Sequence, residues 1–233
     1  MKNLLKITTL GILLLCSAVL QAQTDTCFLR GRLADIGAEK IYLYVDNITD
    51  SSLVCRGSFK INVPIKSPKF AIIDVVKKNM HTTMPLFLDQ GELDFYIDSA
   101  KTVHVSGAKL SVEYQDKLWD PVKRANENVA VARKNYMASK KSNTADSTVL
   151  KTIMDDSIHA CFSIAESYAR THPGSVLSLT ALNMMGRGDP TEKNGVAELQ
   201  ALFNTLTPEI RESEEGKLYA TKLKRLIIAG KRQ

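Results

Sequence analysis

The sequence predicts an α+β chain: a mostly antiparallel β-sandwich or open barrel, followed by an α-helical module. Two changes of pattern carry that reading. From Thr26 to Gly107 apolar residues recur with a period of two and turns follow closely, as in short half-buried strands. After Gly107 they recur every three or four residues, the spacing of a helix with one buried face. A third observation concerns the start. Lys2 and Lys6 precede an apolar run from Leu10 to Leu20, and Ala22 puts a small residue before Gln23, the layout of an export signal. Residues 1–22 are therefore read as a signal peptide, 23–107 as a β module and 108–233 as a helical module.

In the first strand Cys27, Leu29 and Leu33 share one parity. Ile41, Leu43 and Val45 follow after a turn at Gly37-Ala38-Glu39. Leu53, Cys55, Phe59, Ile61 and Val63 keep the odd, inward parity. Phe70 to Val76 is nearly continuous and apolar, as expected of a strand covered on both faces. Met84 to Leu88 and Leu93 to Ile97 flank Asp89-Gln90-Gly91-Glu92, which reads as a hairpin turn. Val103 and Val105 form a last short strand, ended by Gly107.

Leu118, Val122, Ala125, Val129, Ala132 and Tyr136 then trace one helix face, and the polar stretch from Ser139 to Ala145 ends it. Leu150, Met154, Ile158, Cys161, Ala165 and Tyr168 mark a second long helix, closed by His172-Pro173-Gly174. Ser175 is placed to cap a short apolar helix through Leu182. Gly186 to Pro190 reads as a loop and Glu192 to Leu206 as a fourth helix. Thr207-Pro208-Glu209 has a capping oxygen, a first-turn Pro and an acid at the positive helix end. Gly216 is expected to break the last segment.

Composition narrows the function classes. With 44% hydrophobic and 24% charged residues the chain is ordinary globular, and 6% aromatics with one Trp argue against a large stacking platform for bases or sugars. Loss of the signal removes Lys2 and Lys6, taking the net charge from +6 to +4. That excess is mild and dispersed, so nucleic acid is set aside, and Lys77-Lys78, Lys140-Lys141 and Lys222, Lys224, Arg225 read as solvated surface. No later stretch approaches the roughly 18 apolar residues of a membrane span, so no transmembrane anchor is expected. Lipidation at Cys16 is disfavoured because Leu15 is too large to precede a lipid-bearing Cys.

Cys27 and Cys55 lie on the inward parity, where a disulfide would close a loop of about 28 residues and contribute roughly 3–4 kcal/mol; alternatively both are small buried hydrophobes. Cys161 sits on an apolar helix stripe, with His159 two residues away on a different face, a poor nucleophile–base pair. The four His are isolated, with no His-Glu-x-x-His spacing. Asp89, Glu92, Asp94 and Asp98 gather around one turn; hard-cation or acid/base chemistry competes there with turn chemistry and solvated strand faces. Tyr42, Tyr44 and Tyr96 share the even parity; the favoured reading is that the helical half covers them and their rings pack on helices, and the alternative is that they line a ligand or partner surface. There is no Gly-x-Ser-x-Gly elbow, Walker loop or Gly-x-Gly-x-x-Gly, and no catalytic, cofactor or metal residue is assigned.

The order of motifs resembles a family. Cys27-Phe28-Leu29-Arg30-Gly31, Lys40-Ile41-Tyr42-Leu43-Tyr44, Gly57-Ser58-Phe59, Leu86-Phe87-Leu88-Asp89-Gln90-Gly91-Glu92-Leu93 and Val103 to Gly107 come first. Leu110 and Tyr114, His172-Pro173-Gly174-Ser175, and Leu206-Thr207-Pro208-Glu209-Ile210 through Gly216-Lys217 complete the series. The series is similar to the N-terminal domain of unknown function that precedes a thioredoxin domain in exported bacterial thiol–disulfide oxidoreductases. The resemblance implies a redox domain after the last helix, with a Trp-Cys-x-x-Cys type site. Here the one Trp is Trp119 and no two Cys are separated by two residues, so the expectation is a front end without the redox site, standing alone or parted from a lost downstream domain. The expected function is that of an exported, non-enzymatic interaction or accessory module, periplasmic or secreted, whose partner is another exported protein; the resemblance implies a thioredoxin-like protein or a substrate of one. A small-ligand or glycan-binding β module is the alternative.

Overall fold

In a computed structural model the described residues are 25–34, 37–142, 147–186 and 193–230; the expected signal peptide lies outside them. The chain divides into two compact units, one ending at Val112 and the other beginning at Glu113.

Among its described residues the first unit holds eight strands: β1 (Thr26–Leu33), β2 (Lys40–Val45), β3 (Ile48–Leu53), β4 (Ser58–Pro64), β5 (Lys69–Lys77), β6 (Met80–Leu88), β7 (Gly91–Ile97) and β8 (Val103–Gly107). They form two four-stranded sheets, β4-β1-β7-β8 and β3-β2-β5-β6. All pairings are antiparallel except β1 with β7, where Leu29 lies beside Leu93 and Gly31 beside Phe95. The sheets stay separate, so the architecture is a sandwich and not a closed barrel. Alternation makes the core: Leu29, Ile41, Leu43, Ile73, Leu86, Leu88, Leu93 and Phe95 turn inward and are essentially inaccessible. Two-residue loops join β2 to β3 and β5 to β6, and each opens on a left-handed residue, Asp46 at φ 50° and Lys78 at φ 54°, as the tight turns of twisted strand pairs demand.

Three strand expectations need correction. Asp89-Gln90-Gly91-Glu92 does not close a hairpin: β6 pairs with β5, whereas β7 pairs with β1 and β8. The Asp89 carboxylate accepts the Gln90 N–H at 2.9 Å, and the Gln90 amide donates to Asp25 and to the Ile65 and Lys66 carbonyls, which ties the crossing to the first sheet. Gly91 does take a positive φ, 100°, but to change sheets. Next, Leu53 and Cys55 are exposed instead of inward. β3 is a sheet edge, and the Cys55–Ser58 turn, with Arg56 at φ 52° and Gly57 at φ 73°, resets the parity before Phe59. Finally, β5 is not covered on both faces, since Phe70 and Ile72 on its outward side remain open to solvent.

The helices are α1 (Lys109–Glu113), continued by a π-helical turn over Tyr114–Trp119, then α2 (Asp120–Ser142), α3 (Ser147–Thr171), α4 (Leu177–Met185), α5 (Lys193–Thr205), α6 (Pro208–Glu212) and α7 (Glu214–Gly230). In the second unit Leu118, Ala165, Ala169, Leu177, Leu182, Leu202 and Leu223 are buried, and the Phe203 and Tyr219 rings lie 5.5 Å apart. The capping position of α4 is Val176, which has no capping side-chain bond, and not Ser175, although the Ser175 hydroxyl oxygen accepts the Leu177 N–H at 3.3 Å. The Thr207 side chain makes no such bond. The break assigned to Gly216 falls three residues earlier, at Ser213, whose hydroxyl oxygen accepts the Gly216 N–H at 3.0 Å. Gly216 is required for closeness instead, because a Cβ there would meet the Ile210 and Arg211 carbonyls.

Candidate functional site

The sandwich turns two outer faces to its surroundings, and the candidate side chains are divided between them. On the β3-β2-β5-β6 sheet Tyr44 stands opposite Ile72, with Tyr42 opposite Asp74. Tyr44 is 40% exposed, Ile72 39% and Phe70 36%, so one outward strip of apolar surface runs across β2 and β5. The Tyr42 and Tyr44 rings are stacked at 6.3 Å, and the Lys40 ammonium lies 4.4 Å from the centre of the Tyr42 ring. Beside them Asp74 is buried; one carboxylate oxygen meets His81 Nδ1 at 2.7 Å and the other has no hydrogen-bond partner.

The β4-β1-β7-β8 sheet carries a different chemistry. Arg30 donates to Glu92 at 2.6 Å and to both oxygens of Asp94, at 2.9 and 3.3 Å. Asp94 first and Glu92 second hold the guanidinium in its charged form. Tyr96 stacks on His104 at 5.7 Å, and His104 Nε2 lies 3.1 Å from Asp98. That contact, with the Thr102 N–H, keeps the Asp98 carboxyl below its usual range. An open depression of about 330 Å³ lies among Arg30, Gly31, Arg32, Asp94, Phe95 and Tyr96.

Shared parity thus puts Tyr42, Tyr44 and Tyr96 outward as expected, but the single three-Tyr surface does not form, because β2 and β7 belong to different sheets. Parity reports which side of a strand a residue takes, not which sheet the strand joins. The acidic group is likewise dispersed: Glu92 and Asp94 hold Arg30, Asp98 holds its own turn, and Asp89 accepts the Gln90 N–H and, at 3.4 Å, that of Leu110. Among the described residues no three His, Cys, Asp or Glu converge as metal ligands. Sequence reading missed the Asp74–His81 pair; an Asp inside the apolar run of β5 was the available signal.

The Cys27–Cys55 pairing also needs correction. The Leu33 N–H bonds the Gly57 carbonyl at 2.7 Å, which fixes the Cys55 turn at the Leu33 end of β1, whereas Cys27 lies opposite Val63. At about 3.3 Å per residue the two are separated by roughly 20 Å, several times a disulfide's reach. All three thiols among the described residues are free: Cys27 buried, Cys55 exposed, and Cys161 half-buried, its thiol donating to Asn126 Oδ1 at 3.4 Å. Burial pushes the Cys27 thiol up to about 11 and raises Cys161 as well. A disulfide reagent at pH 8 is therefore expected to modify Cys55 at the rate of an open thiol, Cys161 slowly and Cys27 only on unfolding. Unreduced, denatured chain starting at Gln23 should yield three reactive thiols; a yield of one would restore the bridge.

Residues 29–114 match the model of a family described as a domain of unknown function, DUF4369. The match runs from β1 through β8 and the start of the helices. No curated protein matches the chain. Among the described residues no helix is long and apolar enough to cross a membrane.

Proposed function

We propose that this chain is an exported interaction module that docks another protein on the outer face of the β3-β2-β5-β6 sheet and carries out no bond chemistry itself. The observation that carries this reading is the outward strip of Tyr44, Ile72 and Phe70, three large apolar side chains more than a third exposed on neighbouring strands. Burying each is worth about 1.5–3 kcal/mol, enough for an interface core, and the Tyr rings bring area with little rotamer entropy to lose. The Lys40–Tyr42 pair and His81 supply a polar rim beside that core. The signal-like residues 1–22 support export, and the sequence resemblance points to a thioredoxin-like exported protein as the partner.

The test compares wild-type chain with a Tyr44→Ser/Ile72→Ser variant, using a purified exported thioredoxin-fold oxidoreductase and a periplasmic extract as defined and open probes. Both substitutions are on the surface, so the melting temperature should change little. Capture that is reproducible with wild type and at least tenfold weaker with the variant supports the reading. Equal capture by both chains, or none by either, contradicts it. Catalytic turnover of a disulfide or ester substrate that one substitution abolishes would refute the non-enzymatic half.

A further inference from the structure

The second outer face suggests a separate site. On β1 the outward side chains Arg30 and Arg32 stand two residues apart, about 7 Å along the strand. Arg30 is already matched by two carboxylates. Arg32 is exposed and forms no ion pair among the described residues, and neither does Lys60, which sits opposite Arg30 on β4 and diagonal to Arg32. Tyr96 is the β7 neighbour of Arg32, and its ring is held against that of His104. The depression of about 330 Å³ is lined at one end by Arg30 with Asp94 and at the other by Arg32 with Tyr96, while Lys60 and Glu92 lie outside its lining, beside Arg30. Its size is at the lower limit for small-molecule sites.

We infer that this depression is a binding site for an acidic sugar, a ring carrying hydroxyls and one carboxylate, as in a uronic-acid glycan. Arg32 and Lys60 receive the sugar carboxylate, Arg32 through its planar fork. The Asp94 and Glu92 oxygens have lone pairs left over after binding Arg30, and these accept sugar hydroxyls. The Tyr96 ring offers an apolar wall to the C–H face of the sugar. An acidic peptide fits less well, because every carboxylate beyond the first would approach Asp94 and Glu92. The site lies on the sheet opposite Tyr44 and Ile72, so it stands or falls independently of the protein-docking reading.

The experiment titrates full chain with methyl galacturonoside, which carries one carboxylate, with the neutral methyl galactoside and with a triglutamate peptide, by calorimetry and by amide shifts in two-dimensional NMR. Saturable binding of the galacturonate is expected, with shifts centred on residues 30–32, 60 and 94–96, weakening as salt rises. Arg32→Gln should weaken it at least tenfold and Lys60→Gln severalfold, with unchanged spectra elsewhere; the neutral sugar and triglutamate should bind at least tenfold less tightly. The inference is overturned by no saturation at millimolar sugar, by triglutamate binding equally well, or by both variants retaining wild-type affinity.

Discussion

Replacing Gly107 with Ala is expected to destabilise the sandwich by about 2–5 kcal/mol. Gly107 ends β8 at φ 97°, a backbone region that L side chains rarely adopt. A Cβ added there would press on the Glu92 carbonyl oxygen and approach Leu93 Cα, the residue opposite Gly107 across the β7–β8 pair. Neither is a movable side-chain tip. The same carbonyl accepts the Ala108 N–H at 2.9 Å, the bond through which the chain leaves the sheet for α1. Gly91 is the matched control. Its φ is 100°, but a Cβ there would meet nothing within 4 Å, so Gly91→Ala carries the conformational cost alone, about 1–3 kcal/mol. Urea unfolding of the two variants separates strain from collision. Equal losses would show that the Glu92 contact relaxes freely.

How far the sequence revealed the fold depended on the range of the interaction. Alternation is local, so the inward sets Leu29–Leu33, Ile41–Val45, Phe59–Val63 and Leu93–Ile97 were readable one strand at a time, and all of them are core. Pairing is not local. Nothing near Asp89 or Gly91 states that β7 will lie parallel to β1, some sixty residues away, so a crossing between sheets looked like a hairpin. Leu53 failed for a related reason: an edge strand and a tight turn consumed one step of parity before Phe59. The helices were readable from their 3.6-residue stripe, but the short-range decision at Ser213 was missed because a Ser hydroxyl there ends one helix and starts the next, with Gly216 only making room.

The surface chemistry was less legible still. The Tyr residues were found by parity, yet their division between two sheets required topology. Arg30, Arg32 and Lys60 give no sequence signal, since a lone basic residue on an outward strand position is what any solvated sheet shows. Their meaning comes from which neighbours topology supplies: Glu92 and Asp94 cancel one cation, while two others are left with an aromatic wall.

Truncating Tyr168 to Ala should cost the helical unit about 3–5 kcal/mol, read as loss of helical circular dichroism at lower urea. Tyr168 is buried near the end of α3. Its hydroxyl donates to Glu113 at 2.6 Å and lies 3.2 Å from the Ser175 oxygen, and its ring stacks on His172 at 4.3 Å and 10°. One side chain thus joins the end of α1, the end of α3 and the turn that starts α4. Tyr168→Phe keeps the ring and deletes only the hydroxyl, so it should cost less, about 1–3 kcal/mol, the range for a bond to a charged acceptor. Burial, reinforced by the Glu113 carboxylate, raises the Tyr168 hydroxyl well above the ordinary phenol value, and burial does the same to Tyr219. The folded unit then holds these protons more tightly than the unfolded chain. Its stability is complete below about pH 10 and falls as pH rises beyond that, through the range where unfolded tyrosines ionise. The Phe variant should flatten part of that alkaline loss and leave the share due to Tyr219. A Phe variant as costly as the Ala variant would place the energy in the hydroxyl network; an Ala variant costing less than about 1 kcal/mol would show that Tyr168 does not hold this corner together.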